Sequence, residues 1–295
     1  SFPTRRSSDL LKIYKKVSLP REKIVLQEFS VTATEAILTY LAFLSDAQGK
    51  EFTVYQAAIE PHVLNLIDFL KNLGADIDVN YDHSITIKPQ SIEVQAKTCR
   101  ITGDYLEAGL FLAIGATAPH SDITVKWVDV KDLLSVFAVC KNIGIDYKII
   151  DHNSFQVTSK NLTEYHATQI KTMIFPGFPT DLQSVFATLL TQAQGVSKIF
   201  ETLFEGRFAY LAELENLGAK IEILNPHQAV VIWPSKLHGN YVTSTDIRGG
   251  GALLVAGVIA SGETIITNEE LILRGYENIV GKLASIGVQI ERREA

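Results

Sequence analysis

Methionine is nearly missing from this chain of 295 residues: Met173 is the single one, and position 1 is serine. No initiating residue is visible, so the expectation is a piece of a longer reading frame. Cysteine is almost as scarce. Cys99 and Cys140 make neither a disulfide framework nor a metal-ligand spacing. Cys140 lies in the apolar run LLSVFAVC and reads as a small buried hydrophobe. A reducing, cytoplasmic compartment fits. Long apolar runs are lacking too. The longest, ALLVAGVIA at residues 252–260, falls well short of the ~20 residues that span a bilayer, so no membrane partner is expected. An excess of positive charge is also absent. The formal net charge of −6 argues against a general nucleic-acid binder, which needs a basic surface. It leaves room for a small basic pocket holding one anionic ligand.

What is present is enough apolar material, 46% of residues against 20% charged, for one or two packed domains. The opening SFPTRRSSDL is polar and basic, without helix or strand period. No apolar segment follows it, so it is not a signal peptide. It resembles one translated frame of a common sequencing adapter, and residues 1–10 are expected to be a non-native tail.

Beyond residue 10 the chain repeats. KNLGADIDV at residues 71–79 recurs as KNIGIDYKI (141–149), ENLGAKIEI (215–223) and ASIGVQIER (284–292). The central glycines, Gly74, Gly144, Gly218 and Gly287, are 70, 74 and 69 residues apart. Each unit opens with a strand (KIVLQEF, TCRIT, ATQIKTMI, NYVTS) and a helix such as DLQSVFATLL. A short strand (FTVYQ, ITVKW, SKIFET, ETIIT) and a second amphipathic helix follow. The glycine ends that second helix as a C-cap, and a strand pair with a polar turn closes the complete units. This is an α/β module of the form βαβαββ, about 70 residues long. One copy cannot bury its sheet and helices, so about three should share a domain. Residues 11–20 read as the tail of a preceding unit. His83, His152 and His227 fall at one repeat position on separate hairpin tips, which is not a metal site.

Asp104, Asp181 and Asp246 all stand where a unit's first helix begins (ITGDYLEAG, FPTDLQS, STDIRGGGA). A repeated acid at a repeated helix start is what capping predicts. At the second, Thr180 and Gln183 match a capping box that would free Asp181 for other work. The arginines are less easily explained. Arg248 sits in a first helical turn, where a cation opposes the helix dipole. Gly249, Gly250 and Gly251 follow it, as expected where a backbone or ligand must come close. Arg207 and Arg274 precede the second helices of units three and four. Guanidinium forks near helix N-termini suit a carboxylate or phosphate. The plain alternative pairs each arginine with a neighbouring acid, Glu205 or Glu277.

FPTDLQ, FETLFEGRF, TSTDIRGGGALLVAG and LRGYENIVGKLASIGVQIER, in this order, resemble the UDP-N-acetylglucosamine 1-carboxyvinyltransferases. The resemblance covers about residues 11–295 and is firmest over 176–295. It implies an inside-out α/β barrel of repeated βαβαββ units in two pseudo-threefold domains, with the site between them. Residues 11–102 would complete the first domain and 103–295 form most of the second. The implied reaction moves the enolpyruvyl group of phosphoenolpyruvate to the 3-hydroxyl of UDP-N-acetylglucosamine, the first committed step of peptidoglycan synthesis, without metal or cofactor. Asp181 matches the carboxylate near that hydroxyl. Arg248 and Arg274 match arginines holding phosphoenolpyruvate, Leu203 lines the nucleotide-sugar pocket, and Arg207 and Asp246 match further cleft residues. Glu28, Phe29, Ser30 and Val31 match a UDP-binding segment.

Three positions depart from that pattern: Glu28 replaces a Lys, Tyr105 an Arg and Gly206 an Asn. The family's upstream Lys-Asn pair and Cys-bearing loop have no counterpart in this sequence, so no turnover is expected from these 295 residues alone. Three rival readings are another enolpyruvyl transferase, such as 5-enolpyruvylshikimate-3-phosphate synthase, a non-catalytic clamp of repeated α/β units around DNA, and a degenerate, inactive paralogue, which Glu28, Tyr105 and Gly206 suggest.

Overall fold

A computed structural model describes residues 21–47, 49–80, 82–90, 98–159, 164–233 and 235–293. The adapter-like opening and the tail at 11–20 lie outside the described residues. The chain forms two compact units, Ser1–Cys99 and Arg100–Ala295.

The first unit holds one complete repeat: β1 (Lys23–Val25), α1 (Val31–Ala42), β2 (Phe52–Tyr55), α2 (Pro61–Asn72), β3 (Asp76–Val79) and β4 (Ile85–Lys88). Its sheet runs β1-β2-β4-β3, with β1 parallel to β2 and the other pairs antiparallel. Leu38, Leu41, Phe52, Val54, Ile67 and Ile87 form its core.

The second unit holds three repeats. The first has α3 (Tyr105–Thr117), β5 (Asp122–Lys126), α4 (Leu134–Ile143), β6 (Asp146–Asp151) and β7 (Ser154–Thr158). The next has β8 (Gln169–Lys171), α5 (Gln183–Leu190), β9 (Val196–Phe200), α6 (Tyr210–Asn216), β10 (Lys220–Asn225) and β11 (Gln228–Ile232). The last has β12 (Tyr241–Thr243), α7 (Ile247–Ile259), β13 (Ile265–Thr267), α8 (Glu270–Leu273) and α9 (Ile279–Ser285). The sheet β8-β9-β11-β10 repeats the order of the first unit. The neighbouring sheets are partial copies, β5-β7-β6 and β12-β13. TCRIT was expected to open a repeat as a strand, but residues 98–102 form none. Among the described strands β5 pairs with β7, and this sheet lacks the parallel edge strand that β1 and β8 supply in the other repeats.

The repeat glycines behave as the sequence implies. Gly74, Gly144, Gly218 and Gly287 have φ of 105°, 90°, 99° and 92°, the left-handed geometry that ends a helix. The first helices of the three repeats, α3, α5 and α7, pack on one another at the centre, with sheets outside. All eight residues of α5 are buried, as are residues 249–256 of α7. A helix apolar on every side belongs inside, and this arrangement is the inside-out α/β form. The glycines of α7 serve that packing: a Cβ at Gly250 would collide with Ile272, and one at Gly251 would lie 2.8 Å from the Tyr276 hydroxyl. The close neighbours are side chains, rather than the backbone or ligand the sequence suggested. Cys140 is buried, and burial pushes its thiol pKa up.

Among the described residues no helix is long and apolar enough to cross a membrane. No group of three or more His, Cys, Asp or Glu among them could hold a metal ion.

Candidate active site

The site lies where α5 and α7 begin side by side. Asp181 is the middle residue of a 3-10 turn, Thr180–Leu182, leading into α5. The expected capping box does not form. Pro179 occupies the cap position, and no side chain caps either the turn or α5. Thr180 Oγ1 instead donates to Glu201 Oε2 at 2.7 Å. Gln183 is buried, and its Oε1 accepts from the Tyr210 hydroxyl at 3.0 Å.

Asp181 faces two cations. Its Oδ1 accepts from Arg207 Nη1 at 2.6 Å and from Arg248 Nε. Arg248 Nη1 also lies 3.7 Å from Asp246 Oδ2. Burial alone would raise the Asp181 pKa. The charge and hydrogen bond of Arg248, with those of Arg207, outweigh burial and hold the carboxyl below its ordinary value. The side chains of Arg207, Arg248 and Asp181 keep 15%, 32% and 36% of their exposure, so this is a cleft floor open to solvent.

Each arginine is positioned from behind. The Arg207 guanidinium lies over the Phe204 ring, 4.0 Å from its centroid, a cation–π arrangement. The Arg248 carbonyl accepts from Ser184 Oγ at 2.7 Å, which ties α7 to α5. The expected partner acids are not used. Arg207 bonds Asp181, while Glu205 lies 3.6 Å from His227 Nε2. A small cleft of ≈ 260 Å³, its open mouth included, is bounded by Gln183, Gly206, Arg207, Tyr210, Asp246 and Arg248 among others. Gln183 Nε2 is buried there without a hydrogen-bond partner. The guanidinium groups at its wall suit an anion.

The structure thus gathers Asp181, Arg207, Asp246 and Arg248. Arg274 is not bonded to these four among the described residues. It is exposed, follows the short helix α8 rather than directly preceding α9, and makes no side-chain ion pair among the described residues. Leu203 is half-buried, with its backbone N–H on Glu201 Oε1 at 3.0 Å. In the first unit, the Ser30 side chain caps α1, Val31 begins it, Phe29 meets the His83 ring edge-on at 5.1 Å, and Glu28 is exposed. Of the departures, Tyr105 is buried against Phe175, 6.3 Å between ring centroids. Gly206 has φ +75° with nothing within 4 Å of an added Cβ. Gly and Asn both tolerate that region, so the exchange keeps the turn that presents Arg207.

Sequence reasoning missed Glu201, Thr172 and Phe204. For Glu201 a signal existed. Ser197, Ile199 and Glu201 alternate along β9 and its end and are all buried, so period two already placed the acid inward.

A family model for EPSP synthase (3-phosphoshikimate 1-carboxyvinyltransferase) matches residues 8–283. The chain belongs to that family. It is 38% identical to a UDP-N-acetylglucosamine 1-carboxyvinyltransferase of Halothermothrix orenii, over 92% of this chain and 62% of the relative. It is 37% identical to UDP-N-acetylglucosamine 1-carboxyvinyltransferase 1 of Clostridium acetobutylicum, over 92% and 63%. The chain therefore spans somewhat less than two-thirds of these relatives. Among solved structures, the enolpyruvyl transferase NikO from Streptomyces tendae matches with a TM-score of 0.77 at 24% identity, over 87% of this chain and 59% of that one. An EPSP synthase from Acinetobacter baumannii matches with a TM-score of 0.69 at 17% identity, over 91% and 63%. The fold is that of the enolpyruvyl transferases, and the clamp-like alternative is set aside.

Proposed function

We propose that this chain is the larger part of an enzyme transferring the enolpyruvyl group of phosphoenolpyruvate to the 3-hydroxyl of UDP-N-acetylglucosamine, in the cytoplasm, for peptidoglycan synthesis. The observation that carries this reading is one carboxylate, Asp181, held between two guanidinium groups at adjoining helix starts. The names of the relatives at 37–38% identity support the choice of substrates.

The chemistry needs a hydroxyl deprotonated and an anion held. Both bonds to the arginines fall on Asp181 Oδ1, which leaves Oδ2 to accept from a substrate hydroxyl. A carboxylate held ionised by two cations is a weak base. Phosphoenolpyruvate brings its own carboxylate and phosphate. Once these occupy the Arg248 and Arg207 forks, Asp181 loses cationic support and gains a like charge, so its pKa rises and it becomes a better base. Arg274 is assigned to the phosphoenolpyruvate anion, Asp246 to orienting Arg248, and Leu203 with residues 28–31 to the nucleotide sugar. In the same reading, residues 11–102 complete a first domain and 103–295 supply most of a second.

The test is Asp181→Asn in the full-length enzyme, followed by phosphate release. Lost turnover with unchanged melting is expected. Retained turnover with lowered melting would return Asp181 to a structural role. The family model's own name favours a second reading, transfer to shikimate 3-phosphate. Calorimetric titration of the full-length protein separates the two: heat with UDP-N-acetylglucosamine and none with shikimate 3-phosphate supports the first.

A further inference from the structure

Glu201 follows β9 on the strand's inward face and is fully buried. A buried carboxylate is costly unless its oxygens are satisfied, and these are. Oε1 accepts from Thr172 Oγ1 at 3.0 Å, Leu203 N at 3.0 Å and Phe204 N at 3.2 Å. Oε2 accepts from Thr180 Oγ1 at 2.7 Å. Its backbone is pinned as well: the amide donates to the His227 carbonyl at 2.9 Å, and His227 Nδ1 donates to its carbonyl at 2.8 Å. All the side-chain donors are neutral.

Stability alone does not call for an acid here, since an apolar residue continuing the inward row of Ser197 and Ile199 would pack without desolvating a charge. What the acid adds is connection. Thr180 adjoins Asp181. The Phe204 amide fixes the residue whose ring carries the Arg207 guanidinium. Arg207 in turn bonds Asp181. The contacts close a ring through Glu201, Thr180, Asp181, Arg207 and Phe204.

We propose that Glu201 is a positioning residue of this site, holding Asp181 and Arg207 in register through Thr180 and Phe204. Its importance for catalysis rests on the transferase reading, but the geometry it controls is measurable without turnover.

The experiment is a carboxylate-detected NMR titration of the 295-residue chain, with the Arg207 side-chain N–H signal as a second probe. Thr180→Val removes the hydroxyl arm at nearly constant shape, and Thr180→Ser keeps it. In Thr180→Val the Asp181 midpoint should move up toward the free value of about 3.9, and the Arg207 signal should broaden or vanish. Thr180→Ser should match the parent in both. Glu201→Gln should move both probes in the direction of Thr180→Val. Should Glu201→Gln fail to fold, the Thr180 pair carries the test. A folded Thr180→Val whose Asp181 midpoint and Arg207 signal equal those of the parent overturns the proposal. In the full-length enzyme Thr180→Val should lower kcat more than it raises KM, with Thr180→Ser restoring it. The expected NMR shifts without turnover by any full-length form, parent included, would sink the transferase reading and leave the positioning role standing.

Discussion

Asp104, Asp246 and Asp181 stand at the same place in three successive repeats, yet only two of them do the same work. Asp104 accepts from the backbone amides of Leu106 and Glu107 at 2.8 and 3.2 Å, and Asp246 from that of Gly249 at 2.7 Å. Both are N-caps that satisfy otherwise orphaned donors. Among the described residues Asp181 satisfies no backbone donor, and its Oδ1 accepts from two arginines. The difference is a displacement of two residues. Asp104 and Asp246 are the cap residues themselves, whereas Asp181 is the middle residue of a 3-10 turn, two positions after its cap Pro179. Position in a repeat therefore does not settle a residue's job. Its phase relative to the helix start does.

The contrast breaks most visibly under Asp181→Asn. In the full-length enzyme turnover should fall roughly 10²–10⁴-fold, the range of a lost acid–base group. The melting temperature should move little, because a partly exposed ion pair contributes only ~0–1 kcal/mol. Phosphate release and thermal melts on the same preparation check both. A smaller effect comes from Gly250→Ala. The new methyl meets Ile272 and the Ser244 hydroxyl, and overpacking of this kind costs ~1–3 kcal/mol. Urea unfolding of the 295-residue chain should show the loss. A variant as stable as the parent would mean that α7 can shift, and with it the approach of Arg248 to Asp181. Third in size is Asp104→Ala, which removes a cap worth about 1 kcal/mol. That lowers melting by about 2–4 °C in a unit of this length. If Asp181→Asn and Asp104→Ala shift melting equally, the distinction between the two acids is lost.

Much of this architecture was legible because it depends on period and on backbone exceptions. The four glycines at matched spacing fixed where the second helices end, and all four adopt left-handed geometry. The repeat count showed that several units must share one domain, since one copy cannot bury its sheet and helices. The site was legible only in part. Residue type placed Asp181, Arg207 and Arg248 near helix starts, but which acid meets which arginine depends on how α5 and α7 pack, and no sequence spacing encodes that. The Thr180–Gln183 match failed because a buried carboxylate across the sheet end competes for the Thr180 hydroxyl. That competitor lies 21 residues further on in the chain, beyond the reach of a local capping rule.

The smallest expected effect contrasts Asp181 with a fourth acid, Asp132, in the turn Val130–Leu133 before α4. Asp132 is 8% exposed. Burial, with the nearby Asp129 charge, raises its pKa, and Lys131 offsets this only in part. The two acids therefore link stability to pH with opposite signs. Asp181, whose folded pKa is depressed, contributes stability that is complete above the ordinary carboxylate value and lost as pH falls through the folded one. Asp132, whose folded pKa is raised, imposes a penalty that is complete above the folded pKa and relieved as pH falls through it. Asp132→Asn should accordingly raise the melting temperature at neutral pH, with the gain shrinking as pH falls toward about 4. Asp181→Asn should flatten the acid limb of the parent's stability curve below that point. Melting curves from pH 7 to pH 3 on the parent and the two variants test both signs. A gain from Asp132→Asn that stays constant across the range would show that its carboxyl is not destabilised by burial, and the contrast between an acid held by arginines and an acid penalised by burial would fall.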